Sequence, residues 1–207
     1  MHGAWHGGWT WDLVRPELEA LGHIVETPDL PCADIDAGVE EYARLVPPAD
    51  VVVGHSLGGL TIPLVPARLR VFLCALVPGI GLDGAFVAGF GDARSRDECG
   101  RSYYPDPDDA ARELQYPPET FALARRLRPQ AQKPSSNPAE RFMPEGARAY
   151  IACTLDRAIR PDWQRRVARE QLGVEPYELG AGHSPMLSHP RELAALLDLC
   201  AREAGVV

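Results

Sequence analysis

The sequence predicts an α/β fold, in which a mostly parallel sheet carries helices on both faces. Short apolar, β-branched runs alternate along the chain with stretches whose apolar residues recur at helical spacing. Strand, helix, strand, helix in this order is typical of parallel strands joined by crossover helices. At 207 residues the chain is long enough to bury a sizeable core, and we expect a single domain spanning residues 1–207.

The individual elements follow in chain order. The first half predicts a strand at 23–27, a helix at 39–45, a strand at 51–53, a helix at 57–69 and a strand at 71–77. The second half predicts a strand at 150–154, a helix at 163–172, a strand at 176–179 and a helix at 191–203. The last helix is the most clearly marked, because three leucines and Cys200 recur at helical spacing behind Pro190.

The segment 79–145 departs from this alternation. It is rich in Pro, Gly, Asp and Arg and has one helix-like stretch, at 118–127. An insertion of about 65 residues is too long for a plain connection, and such insertions are often functional lids. The alternative is a solvated loop, especially around 130–138. We expect a lid over a small apolar pocket, because six aromatic side chains supply apolar surface that needs covering. They are Phe86, Phe90, Tyr103, Tyr104, Tyr116 and Phe121.

Composition limits the partners and the setting. The net charge is −8 and no basic stripe is visible, which argues against nucleic acid and anionic membranes as partners. The five cysteines are scattered, without a Cys-x-x-Cys pair, so neither a disulfide framework nor a zinc site is predicted. Cys74 and Cys153 lie in apolar runs and are expected to be buried thiols. With no bilayer-length apolar stretch and no leader-like N-terminus, a cytoplasmic protein is expected.

A candidate nucleophile follows the apolar run at 49–53. The next six residues are Gly-His-Ser56-Leu-Gly-Gly, which predict a strand running into a sharp turn with the serine at its apex. Gly54 and Gly58 leave room for this tight backbone, which a Cβ would crowd. A serine hydroxyl held exposed in this way can act as a nucleophile if a base lies beside it.

The candidate base is chosen from six histidines. His183 lies on a loop between the strand at 176–179 and the last helix, at the sheet edge where ligands meet in such folds. His189 is more simply a capping residue, His55 adjoins the serine but points away from it, and His23 lies at a strand start. His183 is therefore the predicted base.

An acid that orients the base should lie between the serine and the histidine in the chain. Asp156 follows the strand at 150–154 directly, so its side chain should emerge at the same sheet edge. Asp162 is better explained by its position at a helix start, and Asp83 is a third option. We assign the role to Asp156, which would hold the imidazole in the right tautomer.

The sequence resembles a known family at these same positions. The opening His-Gly-Ala-Trp-His-Gly-Gly-Trp, the serine turn, Cys-Thr-Leu-Asp156 and Gly-His183-Ser-Pro-Met-Leu are similar to the α/β-hydrolase branch of plant methyl esterases, hydroxynitrile lyases and bacterial relatives. A serine hydrolase also needs backbone donors for the oxyanion, and the amide of Leu57, next after the nucleophile, is one. The resemblance gives the second to Ala4.

The resemblance also implies a reaction. It points to hydrolysis of a small-molecule carboxylic ester through an acyl-enzyme, with no cofactor and no metal. Trp5 and Gly3 are expected to line the substrate site. In the lyases a threonine and a lysine stand where this chain has Gly3 and Ser184. These differences favour the prediction of ester hydrolysis over that of the C–C cleavage catalysed by the lyases. A ligand-binding role with vestigial turnover is a further alternative, and the oligomeric state, a dimer included, is left open.

The N-terminus departs from the resembled branch. There an apolar strand precedes the His-Gly motif and lies inside the sheet, between the strands that match 23–27 and 51–53. This chain has only Met1 before His2. Removing an interior strand would leave buried backbone groups unpaired, at about 1–3 kcal/mol for each group. We therefore expect the first core strand to be missing, and the recorded start to lie downstream of the true one. A genuine short form is the alternative.

Overall fold

A parallel four-stranded sheet is the centre of the computed structural model, which describes residues 1–79, 83–135 and 143–207. Its strands lie in the order β1-β2-β5-β6. A separate antiparallel pair, β3 with β4, lies between β2 and β5 in the chain. The strands are β1 (Ala49–His55), β2 (Ala67–Leu73), β3 (Ser95–Arg96), β4 (Ser102–Tyr103), β5 (Ala147–Cys153) and β6 (Tyr177–Leu179). The predicted α/β class is confirmed.

Helices cover both faces of this sheet. Side chains alternate along β2, so that Val71 packs with α1 and α6 on one face while Phe72 packs with α2 and α4 on the other. The α-helices are α1 (Arg15–Ala20), α2 (Val39–Arg44), α3 (Pro107–Glu113), α4 (Pro161–Val167), α5 (Pro185–Ser188) and α6 (Pro190–Glu203). A π turn, Ala168–Leu172, extends α4. No helix in the described ranges is long and apolar enough to cross a membrane.

The helix predicted at 57–69 is wrong. Two short 3-10 segments, Ser56–Leu60 and Ile62–Leu64, follow the serine, and β2 begins at Ala67. Pro63 and Pro66 lack the N–H that a helix interior needs, which accounts for the short, tight turns. The next strand consequently starts earlier than the predicted 71–77.

The strand predicted at 23–27 is also wrong. This segment has no ladder partner within the described chain, and the side chain of Ile24 is 97% exposed. A strand needs a neighbour to take its backbone hydrogen bonds. β1 lies at the sheet edge, and there Met1 bonds to it: the Met1 amino group donates to the Val53 carbonyl at 2.6 Å, and the His55 N–H donates to the Met1 carbonyl at 3.2 Å.

The predicted lid segment covers the carboxyl end of the sheet in the part that is described; residues 80–82 and 136–142 lie outside it. The stretch predicted as helical at 118–127 takes the tighter 3-10 form, Pro118–Arg126. Backbone bonds tie the segment to the early loop, because the Arg128 N–H donates to the Trp5 carbonyl at 2.8 Å. The Ala131 N–H likewise donates to the Cys32 carbonyl at 2.7 Å.

Candidate active site

Ser56 occupies a strained turn at the end of β1. Its φ is 51°, in the left-handed region that L residues rarely adopt, as a serine at the apex of a sharp turn requires. The glycines around it are packed against backbone. A Cβ at Gly54 would lie 2.8 Å from the Gly58 carbonyl oxygen, and one at Gly59 would lie 2.2 Å from the Leu76 oxygen. Only glycine therefore fits these two positions.

Ser56, His183 and Asp156 are brought together in one hydrogen-bonded series. His183 Nε2 lies 3.1 Å from Ser56 Oγ, and His183 Nδ1 lies 2.9 Å from Asp156 Oδ2. His183 comes from the loop after β6, and Asp156 comes directly after β5. Both side chains are buried, while Ser56 is half-buried at the edge of a cavity. The Nδ1–H of His183 thus faces the carboxylate and its Nε2 lone pair faces the hydroxyl.

The other candidates lie apart from this series or take other roles. His189 is the N-cap residue of α6, and His23 pairs with Asp198 at 3.0 Å. Asp162 lies in the first turn of α4 and pairs with Arg160 at 2.7 Å. Asp83 is exposed on a turn.

Asp156 is itself held by three donors. Its Oδ1 accepts the N–H groups of Ala158 and Ile159, at 2.7 and 3.0 Å. Its Oδ2 accepts Gln164 Nε2 at 2.9 Å. Gln164, a fully buried residue of α4, was not among the residues predicted from the sequence. The helical spacing of the sequence could have indicated it. Gln164 shares the core-facing side of the helix with Val167 and Ala168, and a buried polar side chain there needs hydrogen-bond partners inside the protein.

Replacing Gln164 by leucine is expected to lower both stability and turnover. The change removes donors to Asp156 and to the Ile159 carbonyl and leaves the Cys153 N–H without its acceptor. We expect a loss of about 2–5 kcal/mol in unfolding free energy. Any turnover that depends on Asp156 should fall ~10–100-fold, because the carboxylate is less precisely held.

Urea denaturation and steady-state kinetics measure the two effects. Gln171→Leu is the matched control, since Gln171 lies on the same helical segment and its amide makes no hydrogen bond within the described chain. Wild-type stability and turnover in Gln164→Leu would contradict the assigned role.

The main chain of His183 is fixed by two neutral donors. His55 Nε2 lies 2.8 Å from the His183 carbonyl oxygen, and Cys74 Sγ lies 3.7 Å from it. Burial lowers the pKa of His55 well below its usual value, helped by the nearby imidazoles of His183 and His6, so it stays neutral. Burial likewise raises the pKa of the Cys74 thiol. Both groups are therefore protonated neutral donors to this carbonyl.

Among the described residues, the side chains of His55, Cys74 and His183 lie close enough together to hold a metal ion. One atom each from His55, Cys74 and His183 lie within 4.8 Å of one another. These atoms already have hydrogen-bond roles, to the His183 carbonyl and within the Ser56–His183–Asp156 series.

The early loop brings Gly3 and Ala4 against the serine. A Cβ at Gly3 would lie 2.9 Å from Ser56 Cβ, so this position tolerates only glycine without moving the nucleophile. His2 Nδ1 lies 2.9 Å from the Gly3 carbonyl oxygen. A trans peptide points its N–H opposite to its carbonyl, so the Ala4 N–H is turned away from His2. Within the described chain that N–H has no acceptor, and Ala4 and Leu57 line the cavity next to Ser56.

A cavity of about 620 Å³ opens in front of Ser56 and His183. Trp5, Phe86, Phe90 and Ile159 form its apolar side. Polar residues make up much of the remaining lining, which corrects the expectation of an apolar pocket. These polar lining residues include Arg94, Ser95, Arg96, Ser102, Gln130 and Gln132. The aromatic count of the lid segment did not reveal these residues, because arginine and serine are common on any solvated loop.

Comparison with known proteins relates this geometry to studied relatives. The sequence profile described as the alpha/beta hydrolase family matches residues 1–196. The chain is 31% identical to methylesterase 3 of Arabidopsis thaliana over 247 aligned positions, covering 95% of this chain and 92% of the relative. It is 33% identical to salicylic acid-binding protein 2 of Nicotiana tabacum, covering 95% and 94%.

Solved structures agree with the sequence matches. A pyrethroid hydrolase from Sphingobium faniae superposes with a TM-score of 0.78 at 26% identity, covering 99% of this chain and 96% of the other. A methylesterase from Arabidopsis superposes with a TM-score of 0.76 at 22% identity, covering 98% and 97%, and this likeness concerns the fold.

Proposed function

This chain belongs to the alpha/beta hydrolase family and is a hydrolase of carboxylic esters, and on that premise we propose that Ser56, His183 and Asp156 are its catalytic triad. The observation that carries the proposal is the unbroken hydrogen-bonded series from Ser56 Oγ through the imidazole to Asp156. Nucleophile, base and orienting acid are the three parts that acyl transfer through a serine needs.

In the first half-reaction Ser56 attacks the ester carbonyl. His183 Nε2 takes the hydroxyl proton as the Oγ–C bond forms, and Asp156 stabilises the imidazolium that results. The N–H groups of Ala4 and Leu57 donate to the oxyanion of the tetrahedral intermediate. The intermediate collapses when His183 gives its proton to the departing alcohol oxygen, which leaves an acyl group on Ser56.

In the second half-reaction water takes the place of the alcohol. His183 removes a proton from the water as its oxygen attacks the acyl carbonyl, and the same two N–H groups hold the new oxyanion. Return of the proton to Ser56 Oγ releases the carboxylic acid and restores the enzyme. The net reaction consumes one ester and one water and produces one acid and one alcohol.

The cavity supports a small ester as substrate. Trp5, Phe86 and Phe90 offer aromatic surface close to the nucleophile, which suits a hydrophobic or aromatic acyl group. The relatives named methylesterases favour a short alcohol as the leaving group. We propose the cytoplasm as the setting, supported by five free cysteines, four of them buried, which suit a reducing compartment.

Hydrolysis of p-nitrophenyl acetate and butyrate by the purified protein tests this proposal. We expect turnover, with an initial burst of p-nitrophenol as the acyl-enzyme forms, and an acyl adduct on Ser56 in the mass spectrum of quenched enzyme. Mandelonitrile is assayed in parallel. Cyanide release without ester hydrolysis would replace the proposal with a lyase function, and saturable binding of a methyl ester without turnover would replace it with a binding function.

A further inference from the structure

The candidate active-site cavity is positively charged, although the protein as a whole is acidic. The chain has 29 acidic and 21 Lys and Arg residues. Two arginines, Arg94 and Arg96, line the cavity, and no aspartate or glutamate does so in the described ranges. The protein has a net charge of −8, yet the charged side chains of this pocket are positive, so the pocket attracts and orients anionic ligands.

Arg94 is held in a fixed position within this pocket. Its guanidinium carbon lies 4.9 Å from the centre of the Trp5 ring and 4.9 Å from the centre of the Phe90 ring. Its Nε donates to the Gly91 carbonyl at 3.3 Å, and Nη2 donates to the Phe90 carbonyl at 3.3 Å. Two rings and two carbonyls therefore fix the plane of the guanidinium before a ligand arrives.

The charge on Arg94 is only partly compensated. Its carboxylate neighbour is Glu113, with 3.9 Å between Arg94 Nε and Glu113 Oε1. That carboxylate also accepts the Tyr104 hydroxyl at 2.7 Å and the Ala93 N–H at 3.3 Å. Within the described chain Nη1 of Arg94 makes no hydrogen bond. Arg94 thus keeps N–H donors for a ligand in the cavity.

Arg96 adds a second positive charge to the same wall. Its Nη1 donates to the Gly100 carbonyl at 2.9 Å, and within the described residues it forms no ion pair with a carboxylate. It is more exposed than Arg94, so we assign it the weaker, longer-range contribution.

The Phe90 and Trp5 rings connect this charged wall to the residues around Ser56. The Phe90 ring, which stacks on Arg94, lies 6.2 Å from the His183 ring, centre to centre. The Trp5 ring, which also lies against Arg94, belongs to the residue that follows Ala4. The Phe90 ring therefore lies next to both His183 and Arg94, on the lining of the same cavity as Ser56.

We propose that the substrate is an anionic ester, with a carboxylate that Arg94 binds through paired N–H···O bonds while the ester group lies at Ser56. A half-ester of a dicarboxylic acid has this chemistry: one neutral ester, a short apolar chain and one carboxylate. Arginine matches a carboxylate bidentately, and charge-assisted bonds are the stronger ones. The inference rests on the proposed ester hydrolysis at Ser56 and adds the class of substrate to it.

The test compares a half-ester with the matching neutral diester. The rates of hydrolysis of monomethyl glutarate and dimethyl glutarate are to be measured for the wild-type protein, for Arg94→Gln and for Arg94→Lys. We expect wild type to prefer the half-ester, and Arg94→Gln to lower the ratio of the two kcat/KM values about 10–100-fold, mainly through KM. Arg94→Lys keeps the charge without the planar fork and should fall between them. Arg112→Gln, an exposed arginine on α3 paired with Asp109, is the matched control for loss of one charge.

The outcomes separate this inference from the proposed function. An unchanged ratio in folded Arg94→Gln and Arg94→Lys overturns the inference while leaving ester hydrolysis intact. If no ester is hydrolysed by any form, the proposed function fails. The inference is then decided by calorimetry with glutarate and the wild-type protein. Binding that Arg94→Gln weakens at least tenfold supports it, and binding that is absent or equal in the two proteins overturns it.

Discussion

Replacing Ser56 by alanine is expected to lower kcat/KM for p-nitrophenyl butyrate by at least ~10⁴-fold, the largest effect of any single substitution in this protein. Without the hydroxyl no acyl-enzyme forms, and what remains is the contribution of substrate binding and the oxyanion donors to direct attack by water. The protein should stay folded, because Ser56 Oγ makes its hydrogen bond to His183 alone within the described chain.

Two variants sharpen this expectation. Ser188→Ala makes the same chemical change on α5, where the hydroxyl donates to the Ser184 carbonyl at 3.2 Å outside the cavity, and it should retain the wild-type rate. The double variant Ser56→Ala/His183→Ala should have nearly the same kcat/KM as Ser56→Ala, because the base acts only through the nucleophile. Ester hydrolysis that survives in Ser56→Ala at more than a tenth of the wild-type rate would exclude Ser56 as the nucleophile.

The three residues of the proposed triad could be picked out from the sequence because each lies in a recognisable local pattern. A glycine-flanked serine after an apolar run, an aspartate directly after β5 and a histidine after β6 all lie where parallel strands end. That edge is a property of the topology, so three residues 27 to 127 positions apart converge on it. Local pattern and sheet topology together therefore sufficed for the candidate site.

The features that could not be predicted from the sequence depend on strand pairing and on contacts between residues far apart in the chain. The run at 23–27 has the composition of a strand, yet a strand also needs a partner, and within the described chain none lies beside it. The stretch after Ser56 has helical apolar spacing, but Pro63 and Pro66 remove the donors that a helix would use. Arg94 in the cavity wall could not be recognised either, since its role depends on rings contributed by Trp5 and Phe90.

The second large effect concerns acid stability and comes from three buried histidines near the site. His2 Nε2 accepts the Leu30 N–H at 2.9 Å, and His6 Nε2 lies 2.7 Å from the Tyr116 hydroxyl. Burial lowers the pKa of His2 to about 4 and that of His6 to about 3. Burial also lowers the pKa of His55 well below its usual value. All three are neutral in the folded protein at pH 5, and in the unfolded chain all three bind protons below about pH 6.5.

The sign of the effect follows from which state takes up the protons. Above about pH 6.5 both states hold neutral imidazoles, so these residues give no pH dependence. Below it the unfolded chain binds protons that the folded protein rejects, and unfolding becomes easier by about 1.4 kcal/mol per pH unit for each histidine. Three such residues give a slope of roughly 4 kcal/mol per pH unit. On this slope the histidines cost roughly 6 kcal/mol at pH 5 and roughly 10 kcal/mol at pH 4. A domain stable by about 5–10 kcal/mol should therefore unfold between about pH 5.3 and pH 4.

Urea denaturation at pH 7.5, 6.5, 5.5 and 5.0 measures this slope directly. Paired carboxylates such as Asp162 and Asp198 have lowered pKa values, because Arg160 and Arg202 hold their charged forms, so they weaken the fold only when the pH falls through about 4. Above pH 4.5 the buried Met1 amino group also contributes, because burial lowers its pKa from 8.0 to about 5, which adds about 1.4 kcal/mol per pH unit between those values. The steeper part of the slope, below about pH 6.5, belongs to the histidines. His6→Gln should reduce the histidine part of the slope by about a third, since one of three titrating imidazoles is gone. If that variant does not fold, calorimetric proton uptake of about three per molecule on unfolding at pH 5 gives the same information. A free energy of unfolding that stays constant from pH 7 to pH 5 would show that these imidazoles are not buried as neutral groups.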